Sequence, residues 1–592
     1  MIVKMRKLTL LCTRASREVT LDALRDLGVV HLQHVTSPEG EGLEQARRHF
    51  EYLRRALEVL PKHPHTSPSG KSAHDVVEEV WKLIHRKQAL SEKIELLEIE
   101  RRRYEPFGAF DVDDILALRE QGVQVKLLVA PLKQLPEQPE GANLVELGRD
   151  KTAAYFALVS REPVAVDAEE LPLPECSADG MTRHIEGLQD ELAEVGKGFS
   201  AYVGDHDAVA AIAGEAEDHV VWLEARNGMG KEEAVCYLRG FFPAEREAEL
   251  RAKAEKQGWA ILVEEPAEDD PVPTLLRNPK WVKPIKAVLD MIGVSPGYHE
   301  LDISALFLIF LSIFFAFLIG DAGYGLLFIA LTLFGKLKLK GNKTAAPGLN
   351  LLLIMSSCTV VWGALTGTWF GITPEALPAP LQSLRWNWLE ADADVVAQRI
   401  MLVCFILGTV HLAIAHIWNF FRKIKSPECL SELGWLCSTF AMFFAVRMMV
   451  LGGEFPPVMT YVLGAGVALI ILSLVLTKEF FGLVTLVLDV INNFVDIISY
   501  VRLYAVGAAS FAIANSFNTM AIDALGEKGV IVGGLVAALC IFLGHALNIV
   551  LGGMAILVHG IRLNTLEFSG HAGVQWAGIP FKAFRKLNGG EK

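Results

Sequence analysis

The second half of this 592-residue chain is almost continuously apolar, and that half limits the possible folds most strongly. Between about residues 301 and 570 it divides into eight apolar tracts. Because about 20 apolar residues cross a bilayer as a helix, the tracts predict eight transmembrane helices. The predicted spans are 302–319, 323–338, 349–370, 400–421, 431–451, 458–477, 482–519 and 529–567. The last two exceed an upright span, so we expect them to be long and tilted or bent.

Positive charge in the connections predicts the orientation of these spans, because Lys and Arg accumulate on the cytosolic side of membrane helices. With residues 1–300 in the cytosol, the connections after the second, fourth, sixth and eighth spans are basic, whereas the outer loop 371–399 has no lysine. The basic residues are Lys336, Lys338, Lys340, Lys343, Arg422, Lys423, Lys425, Lys478, Lys582, Arg585 and Lys586. We therefore expect the N-terminal half and the C-terminus to be cytosolic.

Two arginines lie in the last two apolar tracts. Arg502 has about twenty mostly apolar residues on either side, which argues against a side chain that reaches a headgroup from a helix end. A guanidinium stays protonated at ordinary pH, so its burial in lipid requires a carboxylate or a water-lined cavity. Arg562 lies near the end of the last tract.

Polar residues form a stripe on each of these two predicted helices, at about 100° per residue. Stripes of this kind are typical of ion pathways. The first stripe contains Asp489, Asn492, Asn493, Asp496 and Ser499, with Arg502 at its edge, and the second contains His545, Asn548, His559 and Arg562.

Glu567 follows Arg562 by five residues, about 140° around an α-helix, so we expect the two not to pair directly. At a channel mouth this carboxylate would attract cations or relay protons. The alternative is a solvated carboxylate at a helix end.

The first half is charged, and the whole chain has a formal net charge of −13. The first half has no basic patch, which argues against nucleic-acid binding. The eight cysteines form no CxxC pair, so we expect free thiols and no metal site. Met1–Leu11 lacks the apolar core of a signal peptide, so we expect the first span to direct insertion.

Patterns in the first half predict two small α/β lobes joined by an antiparallel coiled-coil hairpin, with a helical bundle as the alternative. Apolar residues repeat at spacings of three and four over 43–60, 76–97 and 185–202, as in a coiled coil. Strands are expected at 8–11, 29–32, 125–130, 155–159, 237–242 and 259–263, and helices at 16–27, which ends at Gly28, and 244–257. The predicted domains are a proximal lobe (1–35 and 237–280), the hairpin (40–105 and 181–235), a distal lobe (106–175), a linker (281–301), a membrane domain (302–570) and a basic cytosolic tail (571–592).

Nucleotide binding has little support in the sequence. Gly70-Lys71-Ser72 is the one fragment similar to a phosphate loop, and His65 stands where the first glycine should be. We expect no nucleotide site, no cofactor and no catalysis by this chain alone.

Several motifs together resemble one family, the membrane stator subunit of V-type and A-type rotary ATPases, called subunit a or subunit I, in its prokaryotic form. The resemblance covers the whole chain and is densest in the membrane half. The motifs are Lys283-Pro284-Ile285 through Glu300-Leu301-Asp302, Gly320-Asp321-Ala322-Gly323-Tyr324-Gly325, Gly363 to Gly371, Ser499-Tyr500-Val501-Arg502-Leu503, and His559-Gly560-Ile561-Arg562-Leu563 with Glu567.

The resemblance implies that Arg502 and Arg562 face a proteolipid rotor ring, and that proton or sodium flow through two half-channels is coupled to rotation. It also implies that the cytosolic lobes bind peripheral-stalk subunits, with the central-stalk socket subunit a further partner, and that the chain lies in a prokaryotic cell membrane. Some members carry an acidic residue ten positions before the second arginine, where this chain has Gly552. His545 and Asn548 are the candidates to take the role of that acidic residue.

Two other classes compete with this interpretation. A secondary ion transporter with a cytosolic regulatory domain would be expected to show repeated halves, and spans one to four do not resemble spans five to eight. A purely structural scaffold leaves the two membrane arginines unexplained.

Overall fold

The computed structural model describes residues 1–60, 67–342, 345–527 and 530–586. His65, Lys343 and the tail beyond residue 586 lie outside the described residues. Contacts divide the chain into two compact units. The N-terminal unit contains residues 9–240, 250–262 and 584–586, and the C-terminal unit contains 1–8, 241–249 and 263–583.

The first 280 residues alternate strands and helices. The predicted stop of the first helix is confirmed, because Gly28 caps it with a left-handed φ of 62°. The strands are β1 Met5–Thr13, β2 His31–Gln33, β3 Gln124–Pro131, β4 Ala142–Arg149, β5 Ala153–Ser160, β6 Glu169–Leu171, β7 Gly230–Glu232, β8 Val235–Pro243, β9 Ala260–Glu264 and β10 Pro273–Thr274. The helices are α1 Arg17–Leu27, α2 Glu41–Val59, α3 Ala73–Tyr104, α4 Val112–Glu120, α5 Ala178–Ser200, α6 His206–Asn227 and α7 Glu247–Gln257.

Two sheets occur in this part of the chain. One has the strand order β2-β8-β1-β9, with β7 paired to β8. The other has the order β4-β5-β3-β6 and is antiparallel at each pairing. The sequence predicted β3 and β5 but not β4 and β6. β4 carries an irregularity in register between Glu146 and Gly148, which breaks the alternation that reveals a strand.

Four long helices pack as two pairs. α2 packs on α6 and α3 on α5. Arg47 contacts Glu224 at 2.7 Å, and Arg86 contacts Glu191 at 2.6 Å. A Cβ at Gly198 would lie 3.2 Å from the side chain of Leu83. Rising residue numbers in α3 therefore meet falling numbers in α5, so this pair is antiparallel. The knobs-into-holes packing of a coiled coil and the domain boundaries stay predictions.

The C-terminal unit is mainly helical. Six of its helices within the described residues are long and apolar enough to cross a membrane. α9 and α10 occupy the first two predicted spans with only 16 and 17 residues, so the count of eight spans stays a prediction. The helices are α8 Lys286–Ile292, α9 Ser304–Ile319, α10 Ala322–Lys338, α11 Ala345–Thr366, α12 Ala379–Gln382, α13 Ala393–Arg422, α14 Cys429–Leu451, α15 Pro457–Thr477, α16 Phe480–Ile498, α17 Val501–Glu527, α18 Val530–Ala555 and α19 Ser569–Ala572.

The chain after α19 adds a short strand, β11 Ile579–Pro580, which pairs in parallel with β10. The part of the basic tail that contains β11 is therefore paired to an earlier strand.

The glycine-rich turn between α9 and α10 is built around Asp321. Its carboxylate caps α10 by accepting from the N–H groups of Gly323 and Tyr324, and it also accepts from the N–H groups of Phe370 and Gly371. Asp321 is buried, so these bonds satisfy a carboxylate that is shielded from water. Asp321 is thus the N-terminal cap of α10.

The last two predicted spans are not regular α-helices. The run predicted at 482–519 is interrupted by a turn at residues 499–500, between α16 and α17. The run predicted at 529–567 ends in two π-helical segments after α18, Ile556–Gly560 and Leu563–Phe568. The turn lies next to Arg502, and the two π-helical segments lie on either side of Arg562.

Candidate functional site

The turn at residues 499–500 orients the side chain of Arg502. Tyr500 is fully buried, its hydroxyl lies 2.8 Å from Nδ1 of His411, and its ring packs against Gly408. A Cβ at Gly408 would come within 2.5 Å of this ring. Arg502 Nη2 donates to Ser499 Oγ at 2.9 Å. The interruption of the helix therefore places the Ser499 hydroxyl against the guanidinium.

A single carboxylate lies between the two arginines. Glu567 Oε1 is 3.4 Å from Arg502 Nη1 and 3.6 Å from Arg562 Nε. The Glu567 side chain is only 5% exposed, whereas that of Arg562 is 52% exposed. A buried carboxylate requires paired charge, and here two guanidiniums provide it.

The contact between Arg562 and Glu567 contradicts the expectation that they do not pair. That expectation assumed an α-helix, in which residues five apart point in different directions. Glu567 lies in the π-helical segment Leu563–Phe568. A π-helix is bonded from residue i to i+5, so residues five apart come close to the same face. The alternative of a solvated carboxylate is also wrong, because Glu567 is buried.

A polar cavity of about 550 Å³ adjoins Glu567. Asp489 and Asp496 of the first predicted stripe line it, and so do Asn492 and Asn493. Thr485 Oγ1 donates to Asp489 at 2.9 Å. The structure therefore brings residues of this stripe and Glu567 to one space.

A hydrogen-bonded chain in the lining of this cavity joins Asp496 to three residues that the sequence analysis did not single out. Asp496 contacts His571, His571 contacts His416, and His416 contacts Glu432. Lys423 Nζ lies 3.0 Å from Glu432 Oε1. His416 and Glu432 are polar residues inside apolar tracts, which was the available signal.

The second predicted stripe forms a separate cluster. His545 Nδ1 lies 2.6 Å from the hydroxyl of Tyr324, and His545 Nε2 lies 3.2 Å from Asn518 Oδ1. Asn548 donates to that tyrosine hydroxyl at 3.0 Å and accepts from Ser510 Oγ at 3.0 Å. His545 and Asn548 are thus joined through Tyr324.

His559 also belongs to the second predicted stripe. Its Nδ1 is buried, and no partner for it occurs in the described ranges.

Gly552 is closely packed. A Cβ at this position would lie 2.6 Å from Cδ1 of Ile319. An acidic side chain here would require the end of the Ile319 side chain to shift. The described residues contain no group of three or more His, Cys, Asp or Glu that could hold a metal ion.

The chain was compared with known proteins, and no protein-family model matches it. V-type ATP synthase subunit I 1 of Treponema pallidum is 30% identical over 99% of this chain and 100% of its own length. V-type ATP synthase subunit I of Borreliella burgdorferi is 29% identical over the same shares. A crystal structure of the cytoplasmic N-terminal domain of subunit I, a homolog of V-ATPase subunit a, covers 44% of this chain and 99% of its own at 15% identity. Its TM-score of 0.23 is too low to establish a shared fold.

The six apolar helices and the full-length relatives define a multi-pass membrane protein that is a subunit of a rotary ATPase. Within that class the chain belongs to the V-type ATP synthase subunit I family. The family resemblance read from the motifs is thereby confirmed.

Proposed function

We propose that this chain is the stator subunit that couples transmembrane flow of protons or sodium ions to rotation of a proteolipid ring, and so to ATP hydrolysis or synthesis. The observation that carries the proposal is the charge balance at the site. Arg502 and Arg562 share the single carboxylate of Glu567. This trio keeps one uncompensated positive charge, which a carboxylate on a ring subunit would balance.

The face of α17 that carries Arg502 supports contact with other helices. Small side chains follow Arg502 on this face at spacings of three and four, and they are exposed. Small residues let another helix approach closely, whereas α16 exposes valine, leucine and isoleucine, as a lipid-facing helix does. The exposed small residues are Ala505, Ala509, Ala512 and Ser516.

In this mechanism Arg502 separates two half-channels. Next to a fixed guanidinium the ionised form of a ring carboxylate is favoured, so the carboxylate releases its ion there and takes up another on either side. The cavity lined by Asp489, Asp496 and Glu567 forms one half-channel, and the cluster of His545 and Asn548 belongs to the other. Because the guanidinium repels a cation that moves directly between them, ions pass only as the ring turns.

The N-terminal half has an anchoring role in this proposal. Its distal and proximal lobes bind peripheral-stalk subunits, and the central-stalk socket subunit is a further partner. This half and the C-terminus face the cytosol of a prokaryotic cell, as the basic connections predict. ATP is bound and hydrolysed by other subunits.

A secondary transporter with a regulatory domain is the competing function, and co-purification separates the two. A stator subunit extracted under mild conditions brings a small ring proteolipid and ATPase subunits with it. A transporter is purified without them.

Replacement of Arg502 tests the coupling role. Complexes with Arg502→Ala, reconstituted into sealed vesicles, should assemble but show no ATP-driven ion uptake. Arg502→Lys should also fail, because one ammonium group cannot reproduce the separate Nη1 and Nη2 contacts. Arg447→Ala, on membrane helix α14 and outside the site, is the control and should pump normally. Normal uptake with Arg502→Ala would refute the proposal.

A further inference from the structure

A largely apolar cavity of about 370 Å³ lies in the C-terminal unit, and neither Arg502 nor Arg562 lines it. Its volume falls within the range of roughly 300–1,000 Å³ that is typical of small-molecule and cofactor sites. Four membrane helices and the outer loop contribute to its lining. The helical residues include Phe317 of α9, Trp362 of α11, Ile400 of α13 and Phe511 of α17.

The cavity has a buried floor and an exposed rim. Phe317 and Leu503 are buried, whereas Glu375 is exposed, so the cavity opens to the surroundings of the chain. Its interior offers few free polar groups, because the hydroxyls of Thr366 and Thr368 donate to backbone carbonyl groups. The interior is therefore suited to an apolar ligand.

The cavity lies on the side of α17 that faces away from the exposed small residues. At 100° per residue, the five residues of α17 that line the cavity are centred about 140° around the helix from those small residues. The five are Leu503, Tyr504, Gly507, Ala508 and Phe511. The cavity is therefore separate from the face that the proposed function assigns to the ring.

One guanidinium, that of Arg385, lines the cavity and has a free donor. Its Nη2 donates to the carbonyl oxygen of Leu389 at 2.7 Å, whereas its Nε is buried and has no hydrogen-bond partner among the described residues. Its stem packs on Gly367, where a Cβ would lie 3.2 Å from Cδ of Arg385. A buried donor without an acceptor is costly, and guanidinium groups bind phosphate oxygens well. Arg385 is thus placed to hold a phosphate.

The neighbours of Arg385 indicate its depth in the membrane. Trp386 is exposed, and its ring centre lies 5.1 Å from that of Trp388. Tryptophan is enriched at membrane–water interfaces, at the level of the lipid headgroups. A phosphate at Arg385 would therefore lie where the phosphates of membrane lipids lie, with the apolar cavity next to it.

The charges of the outer loop favour a headgroup that carries both signs. Glu375 lines the rim of the same cavity as Arg385. Residues 371–399 contain more carboxylates than guanidiniums, so a headgroup with net negative charge would be repelled. The carboxylates are Glu375, Glu390, Asp392 and Asp394, and the guanidiniums are Arg385 and Arg399.

We propose that this cavity binds one membrane phospholipid whose headgroup carries a phosphate and a primary ammonium group, as in phosphatidylethanolamine. The phosphate accepts from Nε of Arg385, the ammonium group lies at Glu375, and one acyl chain fills the apolar interior. The bound lipid packs against α17 from behind, on the side away from the small residues. This site does not depend on the proposed ion translocation.

A photoreactive lipid tests the site in the full-length protein in detergent micelles. The probe is phosphatidylethanolamine with a diazirine in one acyl chain. Illumination should label peptides of α13 or α17 that line the cavity, as identified by mass spectrometry. Unlabelled phosphatidylethanolamine should compete with the probe. Phosphatidylglycerol, which is anionic, and phosphatidylcholine, whose ammonium group has no N–H donor, should compete much less.

Two variants address the headgroup and the acyl chain separately. Arg385→Gln should reduce labelling by about tenfold, because it removes a hydrogen bond from a charged donor. Ala397→Phe should also reduce labelling, because Ala397 lines the cavity and phenylalanine would fill it. This second variant serves if Arg385→Gln fails to fold.

Arg399→Gln is the matched control, because Arg399 contacts Trp388 but does not line the cavity. It should be labelled as the wild type is, and so should Arg502→Ala, whatever its effect on ion transport. Equal labelling of Arg385→Gln and Arg399→Gln, equal competition by the three lipids, or labelled peptides only outside the cavity would each overturn the site.

Discussion

At the scale of single residues, Glu567 determines the charge of the site. It is buried between two guanidiniums, and its second oxygen is buried without a hydrogen-bond partner among the described residues. Without its charge, two like charges would remain close together in a medium of low dielectric constant, where repulsion is strong. Glu567 thus keeps Arg502 and Arg562 together.

Replacement of Glu567 by glutamine removes the negative charge but nearly keeps the size and shape of the side chain. We expect Glu567→Gln to leave the complex assembled and to slow ATP-driven ion uptake by about tenfold, a smaller loss than that of Arg502→Ala. Uptake by vesicles with the purified complex is the measurement. Glu454→Gln, at an exposed carboxylate, is the control. An unchanged rate in Glu567→Gln across a range of pH would contradict a role in translocation.

The sequence revealed the residues whose chemistry conflicts with their surroundings. Arg502 is recognisable because a charge in an apolar tract is costly. The partner of Arg562 was not recognisable, because the π-helical segment changes the spacing that brings two residues together. The contact of His416 with His571 joins residues 155 positions apart, so no local pattern contains it.

At the scale of elements, close contact between α11 and the turn before α10 depends on Gly363. A Cβ there would lie 2.7 Å from the carbonyl carbon of Asp321 and closer still to the backbone nitrogen of Ala322. Gly363→Ala should destabilise the protein by about 1–3 kcal/mol, seen as a lower midpoint of thermal unfolding in detergent. Gly348→Ala, in open space on the same helix, should have little effect. Equal midpoints for the two variants would contradict the packing role.

The turn between β4 and β5 should give the distal lobe a pH-dependent stability. The N–H of Thr152, the hydroxyl of Tyr155 and the N–H of Ala153 donate to Asp150 and hold its pKa below the ordinary value. A lowered pKa stabilises the fold above the unfolded value of about 3.9, and this contribution is lost as pH falls through the folded value. Asp150→Asn should therefore increase hydrogen exchange in β5 at about pH 7 and by a smaller factor at about pH 3, where the unfolded carboxyl is mostly protonated. The same increase at both values would contradict the prediction.

Elements with regular periods were predictable from the sequence. β3, β5 and α1 lie where alternation and a glycine stop placed them. The break at residues 499–500 was not predictable, because the apolar tract continues through it. Tyr500, which is buried at the break, contacts Gly408 and His411, and both are distant from it in the sequence. Irregular backbone beside both arginines is where local patterns fail.

At the scale of the whole molecule, the account requires a partner on the open face of α17. In each of the runs Phe480–Gly526 and Ile531–Ala572, only 17% of the most apolar 18-residue stretch is buried within the chain. Exposed small residues beside Arg502 suit a neighbouring helix better than lipid. The rotor ring is the partner that the proposed function supplies.

A photo-crosslinking amino acid at Ala509 tests the central claim most directly, because this exposed residue lies two helical turns from Arg502 on the same face. Illumination of the intact complex should crosslink position 509 to the ring proteolipid and stop ATP-driven ion uptake. The same amino acid at Tyr461, exposed on α15, should not form this product. If position 509 reacts only with lipid, and uptake continues after illumination, Arg502 does not face the ring and the account is contradicted.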